Sequence, residues 1–334
     1  MKPVYLLLLV ALLCSACGLA SSPSPLADSG PPDTFTAQAD LAPHLLDTGP
    51  APTDTAMADA GPALCNESHP QRTMGLILCT PKASPGYTLM APETNTTTYL
   101  IDNFGRKVHS WQNSRPPAQT AYLLPNGNLL RPTRDAIDWP SFADYTGRRV
   151  QILAWDGSLV WDYLYSDGKK YLQHHDVAPL PNGNVLLLAW ERKSKEDAIA
   201  AGRDPSKIPF PGEIWANHVV EIQPTGLTTG KVVWKWSIWD HLVQEHDPAK
   251  DNYGKVADHP QLLNINSTTA NFDFNHANSI HYNAALDQII LSYLSQSELI
   301  IIDHSTTTAE AAGHSGGKGG KGGDILYRWG NPVT

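Results

Sequence analysis

Two histidine segments of this chain carry the side chains best suited to chemistry, and they stand in matching surroundings. The first reads His174-His175-Asp176-Val177-Ala178-Pro179-Leu180-Pro181-Asn182-Gly183-Asn184; the second reads Asn275-His276-Ala277-Asn278-Ser279-Ile280-His281-Tyr282. A neutral imidazole can be a nucleophile, a general base or a metal ligand, and it titrates near operating pH. One such histidine alone serves a structural hydrogen bond as readily as it serves catalysis. Recurrence favours chemistry, because each segment lies just ahead of an apolar strand at an equivalent place in successive sequence units.

Those units are the elements that must position the imidazoles. A turn, a strand closed by tryptophan, a His/Asp approach and a Leu-Pro-Asn-Gly-Asn turn run into an apolar strand. The pattern appears as Gly105–Trp111 leading to Leu124–Leu130, again as Gly157–Trp161 leading to Leu180–Leu186, and in degenerate form as Gly230–Trp234 leading to Ser279–Leu291. Asn-Gly turns between strand-length apolar runs are hairpin signals, and repeats of this size indicate sheet modules arranged radially. The expected fold is therefore all-β, a β-propeller, whose blades bring loops from distant parts of the chain to one central mouth. Strands are expected at Tyr99–Ile101, Val150–Trp155, Leu159–Tyr165, Val185–Trp190, His218–Ile222, Val232–Trp236, Gln288–Ser292 and Glu298–Ile302, with a helix over Ser194–Ala201. Trp111, Trp161, Trp234 and Trp329 fall at equivalent points and read as packing between blades.

The ends of the chain read differently. Residues 1–17 have the layout of an export signal, with one lysine, the apolar run Val4–Leu13, and small residues before Cys17 that resemble a lipoprotein cleavage box. Residues 18–62 form an expected disordered tether rich in Pro, Ser and Asp; its six aspartates supply most of the formal net charge of −9. The remainder, 63–334, is the expected propeller domain, near neutral and without a basic run that would suggest nucleic acid. In an exported chain Cys65 and Cys79 are expected to pair as a local disulfide, while Cys17 would carry the lipid. The glycine-rich run Gly313–Gly323 lacks phosphate-loop spacing and reads as a mobile surface loop whose lysines could touch an anionic substrate.

With the motifs in view, the chain resembles the bacterial aryl-sulfate sulfotransferases (ASST), exported six-bladed propellers. The resemblance runs from Gly86–Pro92 through Thr98–Val108, His174–Asn184, Trp239–Gln244, His259-Pro260 and His276–Ser279 to Ile302–Thr308 and Trp329–Pro332. It implies transfer of a sulfuryl group from a phenolic sulfate ester to a phenol acceptor through a histidine intermediate, with no nucleotide sulfate donor and no cofactor or metal. It also implies that His175 and His276, with His174 a close rival to His175, bind the sulfuryl group and move protons. Asn278, Asp176 and His304 would contact substrate.

Tyr293-Leu294 stand where the family often shows Ser-Arg, and the histidine usually taken as the family's nucleophile belongs to a later blade. At roughly 40 residues per blade, the stretch from Tyr87 supplies about five, so an incomplete propeller is expected. The expected partners are small aryl sulfates and phenols, with a membrane reached only through the lipid anchor, in the periplasm or at the cell surface; a homodimer is left open. Two other readings compete with transfer. One is an inactive, lipid-anchored binding scaffold; the other is a metal-dependent hydrolase or lyase using His174, His175, Asp176 and His276.

Overall fold

A computed structural model describes residues 75–77, 83–135, 147–268 and 272–330. The chain divides into two units, Met1–Met57 and Ala58–Thr334, and every described residue belongs to the second. Cys17, Cys65, Cys79, the expected signal and the expected tether lie outside the described residues.

Four antiparallel sheets follow one another along the sequence. The first holds β1 (Tyr87–Met90), β2 (Thr97–Asp102) and β3 (Lys107–Gln112). The second holds β4 (Tyr122–Leu123), β5 (Leu129–Thr133), β6 (Arg149–Leu153) and β7 (Leu159–Leu164). In the third are β8 (Tyr171–Pro179), β9 (Val185–Ser194), β10 (Glu213–Gly226) and β11 (Thr229–Ser237). After a short parallel pair, β12 (Leu242–Val243) and β13 (Leu263–Asn264), the fourth sheet holds β14 (Ala277–Asn283), β15 (Gln288–Tyr293), β16 (Glu298–Asp303) and β17 (Tyr327–Gly330). Within each sheet spatial order equals sequence order, so each is an up-and-down meander. The fold is all-β, a succession of β-propeller blades.

The Leu-Pro-Asn-Gly-Asn turns form as their chemistry dictates. Gly127 and Gly183 take φ of +82° and +84°, a region costly for other residues. Leu180 N–H donates to Asn184 O at 2.9 Å and Gly183 N–H to Leu180 O at 3.0 Å, while the Asn182 side chain accepts from Asn184 N–H at 2.9 Å. The core lies between blades, where apolar clusters join the first sheet to the second, the second to the third, and the third to the fourth.

Tryptophans close these joints. Trp111 Nε1 donates to Ala154 O (3.1 Å), Trp161 Nε1 to Thr229 O (3.0 Å) and Trp234 Nε1 to Thr306 Oγ1 (3.1 Å), each bond crossing to the next sheet. All three indoles are buried. Trp329 departs from the expected packing role. It is 65% exposed, because it lies on the outermost strand of the fourth sheet and no described sheet packs beyond it.

Three details differ from the sequence reading. The first histidine segment is not an approach to a strand but lies within one, β8, whereas His276 stands just ahead of β14 as expected; β8 and β14 are the first strands of their sheets and pack side by side. Residues 238–276, about one blade's length of chain, form an excursion in which, among the described residues, the strands are β12 and β13. The glycine-rich run, expected to be mobile, is closed by its own backbone: Gly322 N–H bonds Gly316 O and Gly323 N–H bonds Gly313 O, both at 3.0 Å, and Asp303 Oδ2 accepts from Gly319 N–H at 2.6 Å. The expected helix is present as α1 (Lys195–Ala200), capped by Ser194.

Candidate active site

Both histidine segments break the strand ladder where the imidazoles sit. Along β8, pairing with β9 stops at Gln173↔Ala189 and resumes at Val177↔Leu187, so His174, His175 and Asp176 oppose the single residue Leu188. Gln173 Nε2 donates to the freed carbonyls of His174 (3.0 Å) and Asp176 (3.2 Å), which gives those two acceptors of the bulge a partner. On β14 the register slips between Ala277 and Ser279. His175 and His276 have φ of +50° and +24°, left-handed values uncommon outside glycine. Such backbone persists only where surrounding contacts over-determine it, and it concentrates at functional sites.

The bulges aim the two side chains at one another. The His175 and His276 rings meet edge to face with centroids 4.8 Å apart. Behind them His174 is fully buried and stacks on Trp190 at 3.9 Å, with its Nδ1 2.8 Å from His175 Nδ1. One of those nitrogens must carry the shared proton. Burial, reinforced by the charges of His175 and His276 and opposed only in part by Asn217, holds His174 well below its ordinary value, so that ring is neutral. His174 Nε2 makes no hydrogen bond that would fix its tautomer. Where His175 Nδ1–H donates to His174 Nδ1, His175 Nε2 keeps its lone pair.

The proton affinities of the two facing imidazoles are moved in opposite directions. Burial, reinforced by the charge on His276, lowers His175 to about 4, so it is neutral at physiological pH. Burial acts against protonation of His276 as well, but Asp273 outweighs it through a short Nδ1–Oδ2 hydrogen bond and its charge, with a smaller effect from Asn278, and raises the ring above its ordinary value. Asp273 is itself buried and oriented by Trp190 Nε1, which donates to its Oδ1 at 3.0 Å. His276 remains 26% exposed at its side chain and can meet a ligand. The result is a ring that resists protonation beside one that favours it, the division that an acid/base pair needs. Replacing Asp273 with asparagine removes the partner that opposes burial. The His276 proton affinity then falls by at least about one pH unit, as read from an NMR titration of its ring protons against the parent chain.

Other expected residues lie differently. Asp176 is buried with both oxygens engaged: Oδ1 accepts from Tyr122 Oη–H (2.7 Å) and Val177 N–H (2.9 Å), and Oδ2 from Ile280 N–H (3.1 Å). It ties β4, β8 and β14 together, so its place is beneath the bulge rather than at the rings. His304 is not brought to the site. It bonds Asp287 Oδ1 (2.8 Å) and Glu221 Oε2 (3.1 Å) at the turn end of the fourth sheet, roughly 20 Å along the strands from His276. Leu294 N–H donates to His276 O at 2.9 Å, which puts an exposed leucine beside the imidazole where the resemblance implies arginine. The sequence reading missed Asp273, Trp190 and Asn217. Of these only Asp273, three residues before His276, left a local signal.

The family model described as Arylsulfotransferase (ASST) matches residues 79–310. No curated protein matches. Among solved structures, a protein of unknown function from Bacteroides caccae aligns at 12% identity and TM-score 0.36 over 74% of this chain and 58% of that one. Hydrazine synthase from Kuenenia stuttgartiensis aligns at 13% identity and TM-score 0.41 over 73% of this chain and 59% of that one. The Cps50 (Swd1) β-propeller domain from Myceliophteria thermophila aligns at 9% identity and TM-score 0.30, over 74% and 70%. The chain thus spans under three fifths of the first two structures' own length. By the match to its family model, which covers well over half the sequence, the chain belongs to the arylsulfotransferase (ASST) family.

Proposed function

We propose that this chain moves a sulfuryl group from a phenolic sulfate ester to a phenol acceptor, without a nucleotide sulfate donor, through a sulfohistidine on His175. The observation that carries this reading is the edge-to-face contact of the His175 and His276 imidazoles at 4.8 Å, each held on left-handed backbone. His175 Nε2 attacks sulfur, the S–O bond to the aryl group breaks, and its electron pair leaves on the phenolate oxygen. His276 gives that oxygen a proton and holds the SO₃ oxygens as charge develops. In the second half the neutral His276 takes the acceptor phenol's proton, the phenol oxygen attacks sulfur, and the N–S bond breaks to restore His175. Asn278 donates to the sulfuryl oxygens. His174 and Asp273 position the two reacting rings and fix where their protons lie, and no metal or cofactor takes part.

The same reading has the protein exported and anchored through Cys17, with a Cys65–Cys79 disulfide. Leu294 favours a second reading, a propeller that binds such esters and does not turn them over. Incubation with p-nitrophenyl sulfate, with and without a phenol acceptor, separates the two. Transfer gives nitrophenol release that depends on acceptor, and, without acceptor, a peptide containing His175 that gains the mass of one SO₃ and loses it in acid. Absence of both products rejects the transferase reading.

A further inference from the structure

A second imidazole cluster forms where the glycine-rich run folds back onto the third sheet. His241 is fully buried. Its Nε2 lies 2.8 Å from the Ala311 carbonyl oxygen and its Nδ1 2.9 Å from Asp324 Oδ1. Both neighbours are acceptors, whereas a neutral imidazole has one proton to give. With Nε2–H donated to Ala311, Nδ1 turns a lone pair toward a carboxylate. His314 completes the group, with Nδ1 2.6 Å from the same Asp324 oxygen. The three donor atoms all lie within 4.8 Å of one another.

The surroundings are built to hold this convergence. Trp236 lies parallel to the His241 ring, 5.8 Å between centroids, and donates its Nε1–H to Gly323 O at 2.7 Å. Gly323 is required by space, since a Cβ there would fall 2.6 Å from His241 Nε2 and closer still to Ala311 O. Asp324 N–H bonds Lys321 O at 3.2 Å and Ile325 N–H bonds Gln261 O at 2.9 Å, anchoring the run after its carboxylate. His314, by contrast, is exposed and also lines a cavity of about 310 Å³ shared with Trp239, Asp240, Asp251 and His259.

We propose that His241 Nδ1, His314 Nδ1 and Asp324 Oδ1 form a three-ligand site for a divalent transition metal, zinc by its donor set, with a fourth position open to that cavity. Two imidazoles and a carboxylate are the donor set of open tetrahedral zinc sites, and the Nε2–H bond from His241 to Ala311 O supplies the outer hydrogen bond that fixes the tautomer of a metal-ligating histidine. Bonds of about 2.0–2.2 Å to a tetrahedral ion require donors about 3.3 Å apart. The two separations to Asp324 must therefore open by roughly half an ångström: the exposed His314 can supply its own part, while the His241–Asp324 distance of 2.9 Å must widen within the buried pair. The ion would fasten the glycine-rich run to the excursion through His241, far in sequence from that run.

The test uses the full chain, freed of metal by chelator and dialysis, then titrated with zinc chloride or cobalt(II) chloride. Expected are one zinc per chain retained through gel filtration by elemental analysis, and a visible cobalt band of tetrahedral intensity. His314→Ala, an exposed substitution that leaves the buried pair in place, and Asp324→Asn should each weaken binding at least tenfold and abolish that band. Zinc retention equal in the parent and His314→Ala overturns the proposal. So does NMR detection of His241 as a doubly protonated imidazolium in zinc-treated protein, which would mean that a proton balances Asp324 where the ion should.

Discussion

Replacing His175 with alanine lowers kcat/KM for sulfuryl transfer by roughly 10⁴-fold or more, since no other described imidazole presents a lone pair beside His276. The pH dependence carries the finer signature. Transfer requires His175 unprotonated, so activity rises with pH through a value of about 4. It also requires His276 protonated, so activity falls as pH passes above the ordinary histidine value of 6.5, where Asp273 has moved the ring. The profile is a bell with a broad top whose two limbs belong to two residues. His276→Gln keeps a donor but loses the charge, so the falling limb disappears and kcat drops about 10²–10³-fold. Steady-state rates with p-nitrophenyl sulfate from pH 3 to 10 check both limbs, and a His175→Ala protein that still transfers at the parent rate contradicts the assignment.

Asp176→Ala should be the most damaging single change to folding in this part of the molecule. Its carboxylate accepts from Tyr122, Val177 and Ile280, donors on three different sheets. Burial raises its proton affinity and those hydrogen bonds pull it back, leaving it net raised, so the carboxylate is costly to hold but costlier to remove. Deleting it strands three donors in a dry setting at about 1–3 kcal/mol each, partly relieved by relaxation, for a net loss of about 3–5 kcal/mol. Urea unfolding should show a lower midpoint at unchanged m-value, while Asp176→Asn, which keeps one acceptor, loses far less. Were Asp176 instead a substrate contact, the alanine variant would keep its midpoint and lose only KM.

Much of the sheet framework was legible in the sequence, because hairpin glycines and β-branched runs obey local rules. Gly127 and Gly183 mark turns that only positive φ allows, and Val185–Trp190 or Glu298–Ile302 are apolar enough to read as strands unaided. The strands carrying the candidate chemistry were the hardest to see. His174, His175 and Asp176 interrupt the alternation of β8, since a bulge spends three residues against one. That His175 and His276 converge could be anticipated from their places in the repeat; which resists a proton and which favours one could not. That difference is set by the burial of His175 and by Asp273, itself held by Trp190, through tertiary packing. His304 shared the family motif with its neighbours, yet strand length carries it to the other end of the sheet.

Asp273, the group that sets the charge on His276, belongs to no strand; it rides on the excursion between β11 and β14. Sheet register places the proposed nucleophile, whereas an irregular segment sets the proposed acid. A connector of this kind can change length or composition without disturbing a single ladder pairing. Proton-donor strength, and with it the range of leaving groups served, can therefore drift between relatives while the blades that frame the reaction stay the same.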